Sequence, residues 1–153
     1  MSDGSTTVIT KVDLAKGTTF GPLYARKMCM TNPLTDFPIK VFGEAASDTY
    51  YMDFLNENYS NWMCFIAPAA NDKEQNLICY QMKQDIFYTA IRTILTGEEL
   101  RVWYAPYYAF KMKKPLYNKT FAIYNNAVFP ETEQSASSEK QVTQCIKNAT
   151  ALL

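Results

Sequence analysis

Short apolar runs alternate with polar breaks along most of the chain. Thr7-Val8-Ile9-Thr10-Lys11-Val12 is β-branched and partly alternating, which predicts a strand. Ala15-Lys16-Gly17 turns the chain into Thr18-Thr19-Phe20-Gly21-Pro22-Leu23, a strand punctuated by Gly and Pro. A polar loop from Thr31 to Asp36 leads into Phe37-Pro38-Ile39-Lys40-Val41-Phe42, a short apolar strand, and Asp48 to Asp53 is another. Leu55 to Ser60 reads as loop. Asn61 to Ile66 is dense and apolar, and Pro68 opens a polar break to Glu74.

The clearest pairing signal follows. Asn76 to Met82 and Asp85 to Arg92 are β-rich runs separated by Lys83-Gln84, which predicts a hairpin. Lys-Gln is not a favoured pair for a two-residue turn, so a longer loop is an alternative. Leu95 to Glu99 is a turn, Leu100 to Tyr104 a last strand, and Pro106 to Met112 one or two helical turns. Phe129 to Lys140 is rich in Glu, Gln and Ser and reads as a linker. Val142, Cys145, Ile146 and Ala149 recur at helical spacing. The expected organisation is a domain over 1–115, a flexible linker over 116–141 and a short C-terminal helix over 142–153. Many short strands with few helices give a mainly β, α+β fold class.

Composition narrows the chemistry. The chain is 48% hydrophobic, enough to build a core without metal or disulfide staples. Fifteen basic residues balance fifteen acidic ones, so no overall field draws in nucleic acid. Histidine is absent, which excludes imidazole bases and histidine metal ligands within this chain. Cys29, Cys64, Cys79 and Cys145 form no C-x-x-C pair, and no metal is expected. The first residues do not read as an export signal, so the expected setting is intracellular and reduced, away from membranes. A small secreted β-domain is the bland alternative. It rests on the even cysteine count and on N-x-S/T triplets at Asn58, Asn118 and Asn148.

Four segments carry a resemblance. Gly17-Thr18-Thr19-Phe20-Gly21-Pro22-Leu23 is similar to a G-T-x-F-G-P segment, and Asn61-Trp62-Met63 to N-W-M. Glu74-Gln75-Asn76-Leu77 is similar to E-Q-N-L, and Glu98-Glu99-Leu100-Arg101-Val102-Trp103-Tyr104 to G-x-E-L-x-V-W-Y. In this order they resemble the PR domain, the SET-methyltransferase relative of zinc-finger transcriptional regulators. The resemblance implies small curved β-sheets around a pseudo-knot, and a nuclear protein acting on chromatin. In active relatives S-adenosylmethionine sits on one face and a lysine side chain enters from the other.

Carried over by motif, Tyr104 and Tyr88 are the candidate catalytic residues. Tyrosine rings wall a lysine channel, and a hydroxyl orients the amine for in-line attack on a sulfonium methyl. Asn61 and Trp62 are the candidate cofactor-binding residues, matching the SET asparagine-histidine pair that meets the cofactor adenine. Read without the resemblance, the tyrosines and Trp62 are core residues and Asn61 caps a turn.

The SET G-x-G turn falls on Gly4-Ser5-Thr6, which holds only one glycine. The resemblance so read implies a protein-interaction module with weak or lost methyltransferase activity. Its partners would be histone tails or chromatin-associated corepressors, and DNA binding would come from elsewhere. The alternative is an S-adenosylmethionine-dependent histone-lysine methyltransferase.

Overall fold

The architecture comes from a computed structural model, which describes residues 6–28, 35–54 and 56–117. The linker expected beyond Tyr117, the helix over 142–153, and Gly4-Ser5 lie outside the described residues. So do Cys29, Cys145 and most of the loop expected over 31–36. In chain order the strands are β1 (Thr19–Phe20), β2 (Arg26–Met28), β3 (Lys40–Val41), β4 (Tyr50–Asp53) and β5 (Ala67–Pro68). They continue with β6 (Leu77–Met82), β7 (Asp85–Ala90) and β8 (Arg101–Tyr104), before helix α1 (Pro106–Met112). Three short 3-10 helices lie at Ala46–Asp48, Glu57–Tyr59 and Trp62–Phe65.

The strands form two sheets. The larger runs β1-β7-β6-β8-β5 and the smaller β2-β4-β3. In the larger sheet, β8 is parallel to both β6 and β5, while β7 is antiparallel to β6 and β1. Leu77, Ile78, Cys79 and Tyr80 of β6 are all buried, so the middle strand is covered on both faces. That explains why its sequence is a continuous apolar run rather than an alternating one.

The hairpin forms with the two-residue turn: Met82 pairs with Asp85, and Lys83 takes a left-handed φ of 57°. The longer-loop alternative is not adopted. The expected strand over Thr7–Val12 is cut short. Only isolated bridges form, Ile9 with Glu99 and Leu14 with Ile94. Buried Thr10 is the physical reason. Its hydroxyl donates to the Val12 carbonyl at 2.5 Å and accepts from the Val12 N–H at 3.3 Å, and the chain bends there. Asn61 to Ile66 closes as a 3-10 helix, with Cys64 N–H on the Asn61 carbonyl and Ile66 N–H on the Met63 carbonyl.

The four motifs meet in pairs. Ser60 Oγ donates to the Tyr24 carbonyl at 2.6 Å and Asn61 Nδ2 to the Pro22 carbonyl at 2.9 Å. The Phe20 ring meets Trp62 edge-on at 5.4 Å. Buried Asn76 fastens the other two motifs: its Nδ2 donates to the Glu99 carbonyl and its Oδ1 accepts from the Arg101 N–H, both at 2.8 Å. Gly21, at φ 145°, lies under the Phe87 ring. A Cβ there would come within 2.6 Å of a ring carbon and 3.0 Å of the Ile86 carbonyl.

The small sheet is fastened to the large one along the free edge of β3. Ile39 faces β4, its carbonyl accepting from Met52 N–H at 2.8 Å. Alternate residues 38, 40 and 42 therefore turn their backbone groups to the other edge, where side chains take the place of a strand. Tyr104 Oη donates to the Pro38 carbonyl at 2.6 Å. Tyr108 Oη donates to the Lys40 carbonyl at 2.6 Å and accepts from its N–H at 2.9 Å. Gln81 Oε1 accepts from the Phe42 N–H, and its Nε2 donates to the Phe42 carbonyl, both at 2.8 Å.

Two outcomes test these contacts. Tyr108→Phe strands two backbone groups of Lys40 and should lower unfolding stability by about 1–3 kcal/mol in urea melts. Gly21→Ala should cost at least about 1–3 kcal/mol from backbone strain and the clash with Phe87. A melting midpoint unchanged in either variant would show that the contact does not hold the fold.

Candidate functional site

Strand register sets the candidate residues in one row. Phe20 on β1 pairs with Tyr88 on β7, Tyr88 with Cys79 on β6, and Cys79 with Tyr104 on β8. Directly paired residues share a face of a sheet, so these four line one surface of the large sheet. Trp62 packs on Phe20 at one end of the row, and Tyr108 of α1 meets Tyr104 at 5.6 Å at the other. The structure thus brings Asn61, Trp62, Tyr88 and Tyr104 around a single layer. Three motifs distant in sequence supply Asn61–Trp62, Phe20 and Tyr104.

The site residues are not equally free. Tyr104 is fully buried, its ring 4.6 Å from Phe37 and 4.8 Å from Trp103, and its hydroxyl is spent on Pro38. Tyr88 is also buried, and its hydroxyl bonds no other described residue. Trp62 is half-buried. Asn61 does not cap its helix with its side chain, contrary to the simple turn-cap reading. Its amide reaches back to Pro22, and its Oδ1 is a buried acceptor without a partner.

Electrostatics keep the row neutral. Burial pushes the Tyr88, Tyr104 and Tyr108 hydroxyls well above the usual tyrosine range, with a smaller push from the neighbouring Cys79. At neutral pH these are phenols that donate and accept hydrogen bonds, and none is a base. The Cys79 thiol is likewise raised by burial, which leaves it an unreactive core group. Cys64 and Cys79 are both free thiols. Among the described residues no group of three His, Cys, Asp or Glu is placed to hold a metal ion. No helix among them is long and apolar enough to cross a membrane.

Sequence reasoning missed Tyr108 and Gln81. Tyr108 carried a faint signal, as an aromatic two residues past a Pro placed at the helix start. Gln81 is a polar residue that follows the apolar Leu77-Ile78-Cys79-Tyr80 run in β6. Neither pattern says what the side chain bonds.

S-adenosylmethionine, the cofactor that the SET-like layout implies, can be tested against one observation. An orphaned buried carbonyl oxygen calls for a hydrogen-bond donor, and the cofactor carries amino groups that would serve. Asn61 therefore fits the group.

The raised tyrosines predict an alkaline transition. A phenol whose folded pKa lies above its unfolded value of about 10 adds stability that is complete below pH ~10. That stability is lost as the pH rises toward the folded value. Absorbance from the buried set should then rise together with loss of circular dichroism. Ionisation of every tyrosine in a still-folded protein would contradict the buried row.

Comparison with known proteins agrees with this geometry. The family model described as PR domain zinc finger protein 2, PR domain, matches residues 1–115. PR domain zinc finger protein 15 of Homo sapiens is 37% identical over 145 residues, covering 95% of this chain and 13% of that protein. PR domain zinc finger protein 10 of Danio rerio is 39% identical over 121 residues, covering 74% of this chain and 11% of that protein. The chain therefore spans only a small part of the length of these relatives. Among solved structures, the methyltransferase domain of human PR domain-containing protein 2 superposes with a TM-score of 0.57 at 26% identity. That superposition covers 63% of this chain and 65% of that one. The SET domain of the RIZ1 tumor suppressor (PRDM2) gives a TM-score of 0.55 at 19% identity, over 88% and 69% of the two chains, a likeness of fold. A mainly β chain of small sheets, with paired motifs and a buried tyrosine row, belongs to the PR domain family and has its SET-like fold.

Proposed function

We propose that this domain is a protein-interaction module of a nuclear transcription regulator acting on chromatin, with methyl transfer weak or lost. The observation that carries this reading is the commitment of the Tyr104 and Tyr108 hydroxyls to the fold. Tyr104 is the tyrosine the motif offers nearest the transferred methyl, yet its hydroxyl donates a hydrogen bond to the Pro38 carbonyl at 2.6 Å with its ring wholly buried. Its neighbour Tyr108 is bonded on both sides by Lys40. Partners on this reading are histone tails or corepressor proteins, and DNA recognition belongs to other parts of a longer protein.

A second reading, a protein-lysine methyltransferase, is favoured by two groups that the fold leaves open. Asn61 Oδ1 lacks a donor, and the Tyr88 hydroxyl bonds no other described residue. Asn61 and Trp62 would hold S-adenosylmethionine, which supplies an electrophilic methyl on sulfur. Tyr88 would orient the incoming amine as a neutral phenol and take no proton from it. The amine would have to arrive uncharged or lose its proton to water.

Calorimetric and thermal-shift titration with S-adenosylmethionine and its demethylated product separates the two. The expected result is no heat and no shift in a protein that melts cooperatively. Binding in the micromolar range, about 8 kcal/mol, with methylation of a histone peptide by mass spectrometry, would overturn the interaction reading. Tyr104→Phe should then be interpreted only beside its own melting curve, because the change also frees the Pro38 carbonyl.

A further inference from the structure

The outer face of the small sheet and the exposed side of α1 carry a chain of lysines laid on aromatic rings. Lys40 Nζ lies 5.3 Å from the Tyr51 ring centroid and 5.2 Å from that of Phe42. Lys111 Nζ lies 4.2 Å from the same Phe42 ring and 5.7 Å from that of Tyr107. One ring is thus shared by two ammonium groups. Beside them, α1 presents Tyr107 at 65% and Phe110 at 79% exposure, one turn apart.

Among the described residues neither lysine has a carboxylate partner. Ion pairs join Arg26 to Asp53, Arg92 to Glu98 and Arg101 to Glu99. Two ammonium groups laid on one ring carry like charge, and an anion bound beside them would offset it. Two exposed aromatic rings beside the pair supply apolar area of the kind that anchors interfaces.

We infer that this face, Tyr51–Lys40–Phe42–Lys111–Tyr107 with Phe110, docks an acidic peptide segment of a partner protein that also carries apolar side chains. The inference rests on the interaction reading and gives it a surface. Charge complementarity selects the occupant. Two ammonium groups in a chain of zero net charge suit a few carboxylates, whereas a nucleic-acid backbone needs a longer basic track. The face is joined to the tyrosine row at one point, where the Tyr108 hydroxyl bonds the Lys40 backbone.

The test uses the full chain and fluorescence anisotropy with a short labelled peptide alternating Glu with Leu and Phe. A matched peptide with Gln for Glu and a short single-stranded DNA are the comparison probes. The acidic peptide should bind roughly fivefold or more tightly than the Gln peptide. Lys40→Glu combined with Lys111→Glu should abolish that preference, Phe110→Ala should weaken binding several-fold, and Lys73→Glu should change little. Circular dichroism melts confirm that the variants fold, and Phe110→Ala tests the face even where the double variant does not. Equal binding of the Gln peptide, tighter binding of the DNA, or no binding at all would overturn the proposal. Binding that survives both the Lys40/Lys111 and Phe110 variants would reject this face while leaving the interaction module standing elsewhere. The S-adenosylmethionine titration judges that broader reading separately.

Discussion

A strand at the edge of a small sheet leaves half of its backbone groups unpaired, and burying such an edge is costly unless every group finds a partner. Here that edge of β3 lies against the large sheet, and among the described residues no strand pairs with it. Tyr104, Tyr108 and Gln81 supply the missing ladder from β8, α1 and β6, each reaching an alternate residue of the 38–42 segment. The two sheets can join without sharing a strand because three long polar side chains project from apolar elements at the right spacing. Tyrosine suits this use. Its ring adds to the core among Phe37, Trp103 and Phe42, and its hydroxyl ends at a carbonyl.

The same economy runs through the motifs. Each sequence signature is half of a contact whose other half lies in a second signature. The Pro22–Tyr24 carbonyls receive Ser60 and Asn61, and Asn76 receives and donates across the start of β8. Gly21 lets the first segment pass beneath Phe87 close to β7. Most of the recognisable pattern is therefore an account of how short strands are tied together, a necessity for a fold whose strands run from two to six residues.

This explains what was readable in advance. The hairpin of β6 and β7, β8, and the short α1 follow from apolar runs, Pro and Gly, and all are local. Thr7–Val12 looked like a strand because its residues favour one, but a single buried threonine hydroxyl bends the backbone, and propensity carries no information about that bond. The 3-10 turn at Trp62–Phe65 has the same composition as a strand, since dense apolar runs do not declare their period. The row Phe20–Tyr88–Cys79–Tyr104 depends on register across four strands, one of them far in sequence from the other three. Motif matching pointed to Tyr88 and Tyr104, but only the pairing shows Cys79 between them and Tyr108 behind.

The double use of Tyr104 bears on how the signature should be read. The tyrosine closing the V-W-Y segment here holds Pro38 through its hydroxyl. Its presence therefore carries little weight for catalysis. The groups that would discriminate are those the fold does not use. Asn61 Oδ1 is buried and unbonded, at a cost of about 1–3 kcal/mol for an acceptor left without a donor. Among the described residues the fold leaves two such acceptors, Glu99 Oε1 just before β8 and Asn61 Oδ1 beside Trp62 in the layer of candidate residues. On the methyltransferase reading, Asn61 Oδ1 is a group left for a ligand to satisfy, and the Tyr104 hydroxyl is not.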